Sequence, residues 1–119
     1  MAGSVVIFSA GRLHEKTVFN EEARKIYQTM KHAREMALLE RRDTAFRLDP
    51  EVNTYWIDSG GGSSDVRSLP RGLVITGKDV LFFPKGNSSG GSIKIQNAKG
   101  QEYNIEIDPV LGTPSIKRF

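Results

Sequence analysis

The feature that most constrains this fold is one amphipathic helical pattern near the N-terminus, with no second helical pattern behind it. Between Asn20 and Arg42, apolar residues recur at steps of three and four, which places them on one stripe of a helix. They are Ala23, Ile26, Tyr27, Met30, Ala33, Ala37 and Leu38. Such a helix is roughly 33 Å long and can run across a whole small domain. Its two small residues, Ala33 and Ala37, let a sheet approach closely.

The ends of the predicted helix carry suitable residues. Asn20 is a good N-cap. The next two residues are glutamates and the last two are arginines, an arrangement that the helix dipole favours. Glu21 is spaced to pair with Lys25 one turn later. Residues 5–19 contain no proline, so the helix can also extend backwards without a break.

Beyond Asp43 the hydrophobic pattern changes to the alternation of β-strands. Seven short strands are predicted, over residues 44–48, 54–58, 69–76, 80–83, 92–96, 102–107 and 115–119. Gly100 lies where the turn between the fifth and sixth strands needs a positive φ. The glycine-rich tract 59–64 is expected to be an exposed loop. The sequence therefore predicts an α+β domain with antiparallel β-sheet packed on a single helix.

Composition agrees with one small globular domain. The chain has 119 residues, of which 38% are hydrophobic and 26% charged, so neither disorder nor a membrane bundle is indicated. The absence of cysteine excludes disulfides, thiolate metal sites and a cysteine nucleophile. A net charge of +3 is well short of the usual signature of a nucleic-acid binder.

A short apolar run, Val5, Val6, Ile7 and Phe8, precedes the helical pattern. It is much shorter than the roughly 20 apolar residues that span a bilayer. It also lacks the basic region and cleavage site of a signal peptide. Two interpretations remain at this point: a frayed terminus or strand, or the shortened end of a longer apolar helix. We therefore divide the chain into a lead-in, residues 1–19, and a single domain, residues 20–119.

One motif invites an enzymatic interpretation. The segment from Gly86 to Gly90 matches the G-x-S-x-G nucleophile elbow, with Ser88 as the candidate nucleophile. That motif requires a helix after the serine and a histidine later in the chain. Here a strand is predicted to follow, and both histidines, His14 and His32, lie upstream. No catalytic serine is predicted.

The sequence offers no recognisable cofactor or metal site. The glycines of the same segment have the spacing of a phosphate-binding loop, but the lysine that should follow the last glycine is missing. The two histidines have no carboxylate or second histidine at metal-ligand spacing. The aspartates fall in or beside turns, where they commonly accept backbone hydrogen bonds. We expect no enzyme activity, no cofactor and no small-molecule substrate.

Several segments together resemble the GspH/FimT family of minor pseudopilins and type IV pilin-like proteins. The resemblance covers nearly the whole chain from about residue 20 onward. Its most specific parts are a helical Ala-Arg pair and an F-x-P-x-G-x-S-x-G-G segment, supported by Leu69 to Gly72 and by Ile105 to Gly112. The corresponding residues are Ala33, Arg34, Phe82, Pro84, Gly86, Ser88, Gly90 and Gly91.

This resemblance implies a long N-terminal helix whose first half is apolar and lies in the inner membrane, then in the core of a fibre. The second half would pack on a β-rich periplasmic head, giving a single-pass inner-membrane protein. Other major and minor pseudopilins are the implied partners. No leader and no full apolar segment are present in this sequence, so Val5 to Phe8 would be the remaining end of that segment. The helix, from this run through the stripe Ala23 to Ala37, is the expected assembly element.

The family admits two functions from different classes. The leading one is a structural subunit of a type II secretion pseudopilus, and the alternative is DNA capture by a FimT-like pilin. Lys117 and Arg118 are the candidate DNA-binding residues, with four further basic residues as possible phosphate contacts: Arg67, Arg71, Lys94 and Lys99. The glycine-rich loops 59–64 and 86–91 are candidate contact surfaces that order on docking, or plain connectors.

Overall fold

In the computed structural model, one helix is followed by eight strands. The structure describes residues 2–60 and 62–118, with side chains from residue 15 onward. The elements are α1 Ala2–Glu40, β1 Thr44–Asp49, β2 Thr54–Asp58, β3 Arg67–Ser68, β4 Leu73–Gly77, β5 Val80–Phe82, β6 Gly91–Asn97, β7 Glu102–Ile107 and β8 Pro114–Arg118. The predicted α+β class is confirmed. The added strand is β3, a two-residue strand that pairs with β2 and lies just before the predicted segment 69–76. That segment is itself shortened to β4, because residues 70–73 form a turn in which Leu73 N donates to the Pro70 carbonyl at 3.2 Å.

The helix begins much earlier than its capping signals predict. It includes residues 5–8, which are therefore helical rather than a strand, although their side chains lie outside the described residues. Asn20 is consequently not an N-cap, and its side-chain oxygen instead accepts a hydrogen bond from the Tyr103 hydroxyl. The predicted pairing of Glu21 with Lys25 is also wrong. Lys25 Nζ pairs with Glu22 Oε1 at 3.1 Å, because Glu22 faces the packed side of the helix.

The helix ends at Glu40, so the two arginines predicted for its last turn lie beyond it. Arg41 has a φ of 55°, the left-handed conformation in which helices commonly terminate. Glycine usually occupies that position, and an arginine there gives no termination signal in the sequence. This explains the error of two residues in the predicted boundary.

Two four-stranded antiparallel sheets pack around the helix. The first has the order β3-β2-β1-β5 and the second β4-β6-β7-β8. The short connection between β4 and β5 moves the chain from one sheet to the other. The hairpin of β6 and β7 has the predicted position, and Gly100 in its turn has a φ of 81°.

The core is formed by the helix stripe and the inward side chains of both sheets. Ala23, Ile26, Met30, Ala33 and Ala37 are fully buried, and Tyr27 is partly buried against the same cluster. The sheets contribute fully or almost fully buried apolar side chains from β1, β2, β4, β5, β6 and β7: Phe46, Tyr55, Ile75, Val80, Phe82, Ile93, Ile95 and Ile105. The first residue of β8, Pro114, is also buried. Between Ala23 and Ala37, one face of the helix is therefore covered by the domain's own sheets.

No helix within the described residues has an apolar stretch long enough to cross a bilayer.

We predict that Ala33→Leu lowers the free energy of unfolding by about 1–3 kcal/mol, because Ala33 is fully buried and three extra carbons must be accommodated. Glu35→Leu is the matched control, since it introduces the same side chain on the exposed face of the same helix. The control should change stability by less than about 0.5 kcal/mol. Chemical denaturation of both variants checks this. Equal effects would contradict the described packing.

Candidate assembly interface

The helix extends well past the sheets. Its 39 residues correspond to about 58 Å, close to the longest dimension of the molecule, 60 Å, whereas the other two are 26 and 24 Å. Among the side chains that the structure describes, burial in the core begins at Phe19. The preceding part of the helix therefore projects from the head, the sheet-bearing part of the molecule.

Five residues of the predicted assembly stripe lie inside the head. Ala23, Ile26, Met30, Ala33 and Ala37 are inaccessible to solvent because they contact the two sheets. They fix the direction in which the helix leaves the head. A contact of the stripe with another subunit stays a prediction, as does the role of residues 5–8.

Arg34 joins the helix to two loops at the end of the head remote from the projecting segment. Its Nε donates to the Leu111 carbonyl at 3.1 Å. A Cβ built on Gly86 would lie 3.5 Å from Arg34 Nη2, and one built on Gly112 would lie 2.1 Å from the Gly86 carbonyl oxygen. The helix and the loops 83–90 and 108–113 thus meet at one point, which we call the Arg34 junction.

Ser88 ties these two loops together. Its hydroxyl donates to the Asp108 carbonyl at 2.8 Å and accepts from Gly90 N at 3.0 Å, while its backbone N–H donates to the Pro109 carbonyl at 2.9 Å. Only 6% of the residue is exposed. The serine thus holds the two loops together, and among the side chains that the structure describes no histidine is hydrogen-bonded to it.

The remaining motif residues lie in or next to the loop 83–90. Phe82 is fully buried at the end of β5, Pro84 is the second residue of the loop, and Gly91 begins β6. The loop makes its own backbone hydrogen bonds, including Phe83 N to the Asn87 carbonyl at 2.9 Å. It therefore has a defined conformation before any partner docks.

Apolar side chains are exposed beside the Arg34 junction. Leu38, Val110 and Leu111 are 37%, 77% and 60% exposed, and we call them the tip patch. Leu38 Cδ2 lies 3.6 Å from a Cβ built on Gly86. Asp108 Oδ1 accepts from Val110 N at 2.8 Å and Leu111 N at 2.9 Å, which fixes the turn that presents both residues. The tip patch is thus apolar, exposed and held in one conformation.

Sequence reasoning missed the tip patch. It treated Val110 and Leu111 as part of a turn, and it identified Arg34 only through the family resemblance. The available signal is a pair of large apolar residues inside a turn that otherwise contains aspartate, glycine and proline. Two adjacent large apolar residues in one turn form a larger exposed apolar surface than a single one does, which makes the turn a candidate contact.

The other glycine-rich loop, residues 59–64, is closed by local hydrogen bonds. Ser64 N donates to the Ile57 carbonyl and Ile57 N donates to Ser64 Oγ, both at 2.8 Å. The Gly60 N–H donates to Asp58, whose pKa is lowered by that bond and by Arg47 Nε at 2.8 Å. Residues 60 and 62–64 of this loop are exposed, and its role as a contact surface stays a prediction.

The two basic residues proposed for DNA capture do not form a joint site. They are neighbours on β8, so their side chains point to opposite faces of the sheet. Lys117 Nζ pairs with Glu106 Oε2 at 3.3 Å, whereas the Arg118 guanidinium lies 6.0 Å from the centre of the Tyr103 ring. Neither this geometry nor the moderate net charge favours DNA binding.

Within the part of the chain that the structure describes, no group of three histidine, aspartate or glutamate residues is arranged to hold a metal ion.

We predict that Gly112→Ala destabilises the head by at least about 2 kcal/mol more than Gly100→Ala. Both glycines have positive φ, 69° and 81°, so both substitutions carry the same backbone cost of about 1 kcal/mol. Only at Gly112 would the new methyl group collide with a backbone atom, the Gly86 carbonyl oxygen. Thermal or chemical denaturation measures the difference. Equal losses would show that the two loops do not pack as described.

Solved structures with the same architecture are pseudopilins and pilins. The minor pseudopilin EpsH from the type 2 secretion system of Vibrio cholerae matches with a TM-score of 0.70 and 14% identity, covering 83% of this chain and 95% of that one. The type IV minor pilin FimU of Pseudomonas aeruginosa matches in two crystal forms. Their TM-scores are 0.69 and 0.67, with identities of 15% and 13%. The coverage is 88% and 82% of this chain, and 92% and 91% of FimU.

At these identities the likeness establishes the shared fold. No curated protein sequence matches significantly. The family profile described as type II transport protein GspH matches residues 22–111, which include the helix stripe, Arg34, the loop around Ser88 and Leu111. The chain belongs to the GspH family of type II transport proteins, whose pseudopilin fold it shares.

Proposed function

We propose that this chain is a minor pseudopilin of a type II secretion system. It acts as a structural subunit of the periplasmic pseudopilus that supports export of folded proteins across the outer membrane. The observation that carries the proposal is the helix that spans the whole molecule, with one end buried in the head and the other projecting. No catalytic step is needed for this role.

The geometry supports assembly into an open fibre. A projecting helix on one end of a subunit and an exposed patch on the other are two different surfaces. Contacts between unlike surfaces generate open helical filaments when the rotation between subunits does not close. The projecting helix would join the fibre core and hold the chain in the inner membrane, while the head stays in the periplasm.

The tip patch is our candidate for a contact with another pseudopilin head. Val110 and Leu111 are more than half exposed although both are apolar, and the turn carrying them is fixed by Asp108 and by Arg34. A fixed apolar patch binds with a low ordering cost, because its conformation is already the bound one. The type II system is preferred over a type IV pilus because the matching family is described as a type II transport protein.

We predict that the full chain co-purifies with the other pseudopilins of its own secretion system, and that deleting its gene impairs secretion. The double variant Val110→Asp, Leu111→Asp should reduce recovery of at least one partner more than tenfold, because an unpaired carboxylate is costly to bury in an apolar contact. Val52→Asp is the control, since Val52 is also exposed, at 62%, but lies in the turn between β1 and β2.

Two results would count against these proposals. If the unaltered chain recovers no pseudopilin and secretion is normal without it, the proposed function is wrong. If partners are recovered but the double variant behaves as Val52→Asp does, the function stands and the tip patch is not the contact.

A further inference from the structure

A groove of about 510 Å³ lies where the projecting helix leaves the head. One wall is the helix at residues 15–18, and the others are the turn before β4 and the turn between β6 and β7. Apolar atoms line most of it, from Val18, Pro70, Leu73 and Ala98 among others. The cations Lys16, Arg71 and Lys99 also line it, and we call it the basic groove.

The charge of the basic groove is not balanced. Its three cations are exposed, and none forms an ion pair within residues 15–60 and 62–118. Glu15 is the single carboxylate in the lining. The amides of Asn97 and Gln101 bond each other at 2.9 Å and so brace the turn that carries Lys99. The groove therefore favours an anionic ligand with an apolar portion.

The helix sets the distance between this groove and the apolar run. The helix is continuous, so residue spacing converts directly to length at about 1.5 Å per residue. Measured along the helix axis, Lys16 lies about 12 Å beyond Phe8. It lies about 6 Å beyond Arg12, the first charged residue of the chain. The headgroup layer on each side of a bilayer is roughly 5–8 Å thick. When the apolar residues 5–8 lie in the membrane, the groove therefore lies at the level of the lipid headgroups.

We propose that the basic groove binds the phosphate headgroups of anionic phospholipids at the surface of the membrane that holds the helix. Lysine and arginine suit this position because their alkyl stems cover apolar surface while the charged ends reach phosphate. Headgroups would contact the turn before β4 and the turn between β6 and β7 as well as the helix. These additional contacts fix the height and rotation of the head above the bilayer. This inference rests on the proposed function, because it takes the helix to be anchored in a membrane.

The test compares binding of the full chain to vesicles of pure phosphatidylcholine and to vesicles that also contain phosphatidylglycerol. We expect tighter binding to the second kind, lost on raising the salt concentration. The triple variant Lys16→Gln, Arg71→Gln, Lys99→Gln should lose about a hundredfold of that affinity, since each cation near an anionic surface contributes about fivefold. Residues 5–8 contribute equally to the binding of both kinds of vesicle. The difference in affinity between the two kinds therefore measures the effect of lipid charge alone.

The control triple variant is Arg42→Gln, Lys85→Gln, Lys94→Gln. It removes the same charge from exposed positions outside the groove and should cost less than about fivefold. Circular dichroism melting of both variants establishes that they fold.

Equal losses in the two triple variants, or equal binding to both kinds of vesicle, would overturn the proposal. Displacement by millimolar inorganic phosphate would also overturn it, by indicating a site for free phosphate. A further contradicting result is a triple groove variant (Lys16→Gln, Arg71→Gln, Lys99→Gln) that binds vesicles normally but no longer co-purifies with pseudopilins. That result would indicate an acidic protein surface as the ligand. The vesicle assay contains no other pseudopilin, so the lipid proposal can fail while the proposed function stands.

Discussion

The structure depends on burying one stripe of a long helix against two sheets at once. The stripe from Ala23 to Ala37 has no solvent exposure at five positions. The first sheet contributes the inward phenylalanines of β1 and β5 to the same cluster, and the second sheet contributes the inward isoleucines of β4, β6 and β7. Because both sheets pack on the helix, the head cannot rotate about it without exposing that core. The buried stripe therefore fixes the direction in which the helix leaves the head, and the proposed role as a fibre subunit requires such a fixed direction.

Arg34 extends this rigidity to the far end of the head. It stands one residue from the buried Ala33, and its Nε holds the loop that carries Leu111. Ser88 then links that loop to the one after β5. The G-x-S-x-G sequence that resembles a nucleophile elbow is thus explained by packing, since the glycines allow a close approach and the serine supplies paired hydrogen bonds. The two candidate contact regions, tip patch and basic groove, lie at opposite ends of the head.

The sequence predicted the fold class and the bounds of β2 and β7, because hydrophobic alternation and turn residues are local signals. It misplaced the start of the helix because Asn20 and two glutamates imitate a cap, and a cap cannot be distinguished from a helix interior when no breaker precedes it. Local sequence patterns could not predict that the strands divide into two sheets, because β4 and β5 are adjacent in the chain yet belong to different sheets. The Arg34 junction depends on a contact across 77 positions, and only the family resemblance indicated it.

The central claim is that the helix, through Arg34, holds the tip loops in one conformation. Amide hydrogen exchange in Arg34→Met, compared with the unaltered chain, tests it most directly. The Ser88 and Gly112 amides, which donate to Pro109 and Asp108, should exchange about tenfold faster, because the hydrogen bond from a charged group that anchors their loop is lost. The amides of Ile93 and Ile105 in the core strands should keep their rates. Unchanged exchange at Ser88 and Gly112, or an equal acceleration throughout the head, would contradict the account.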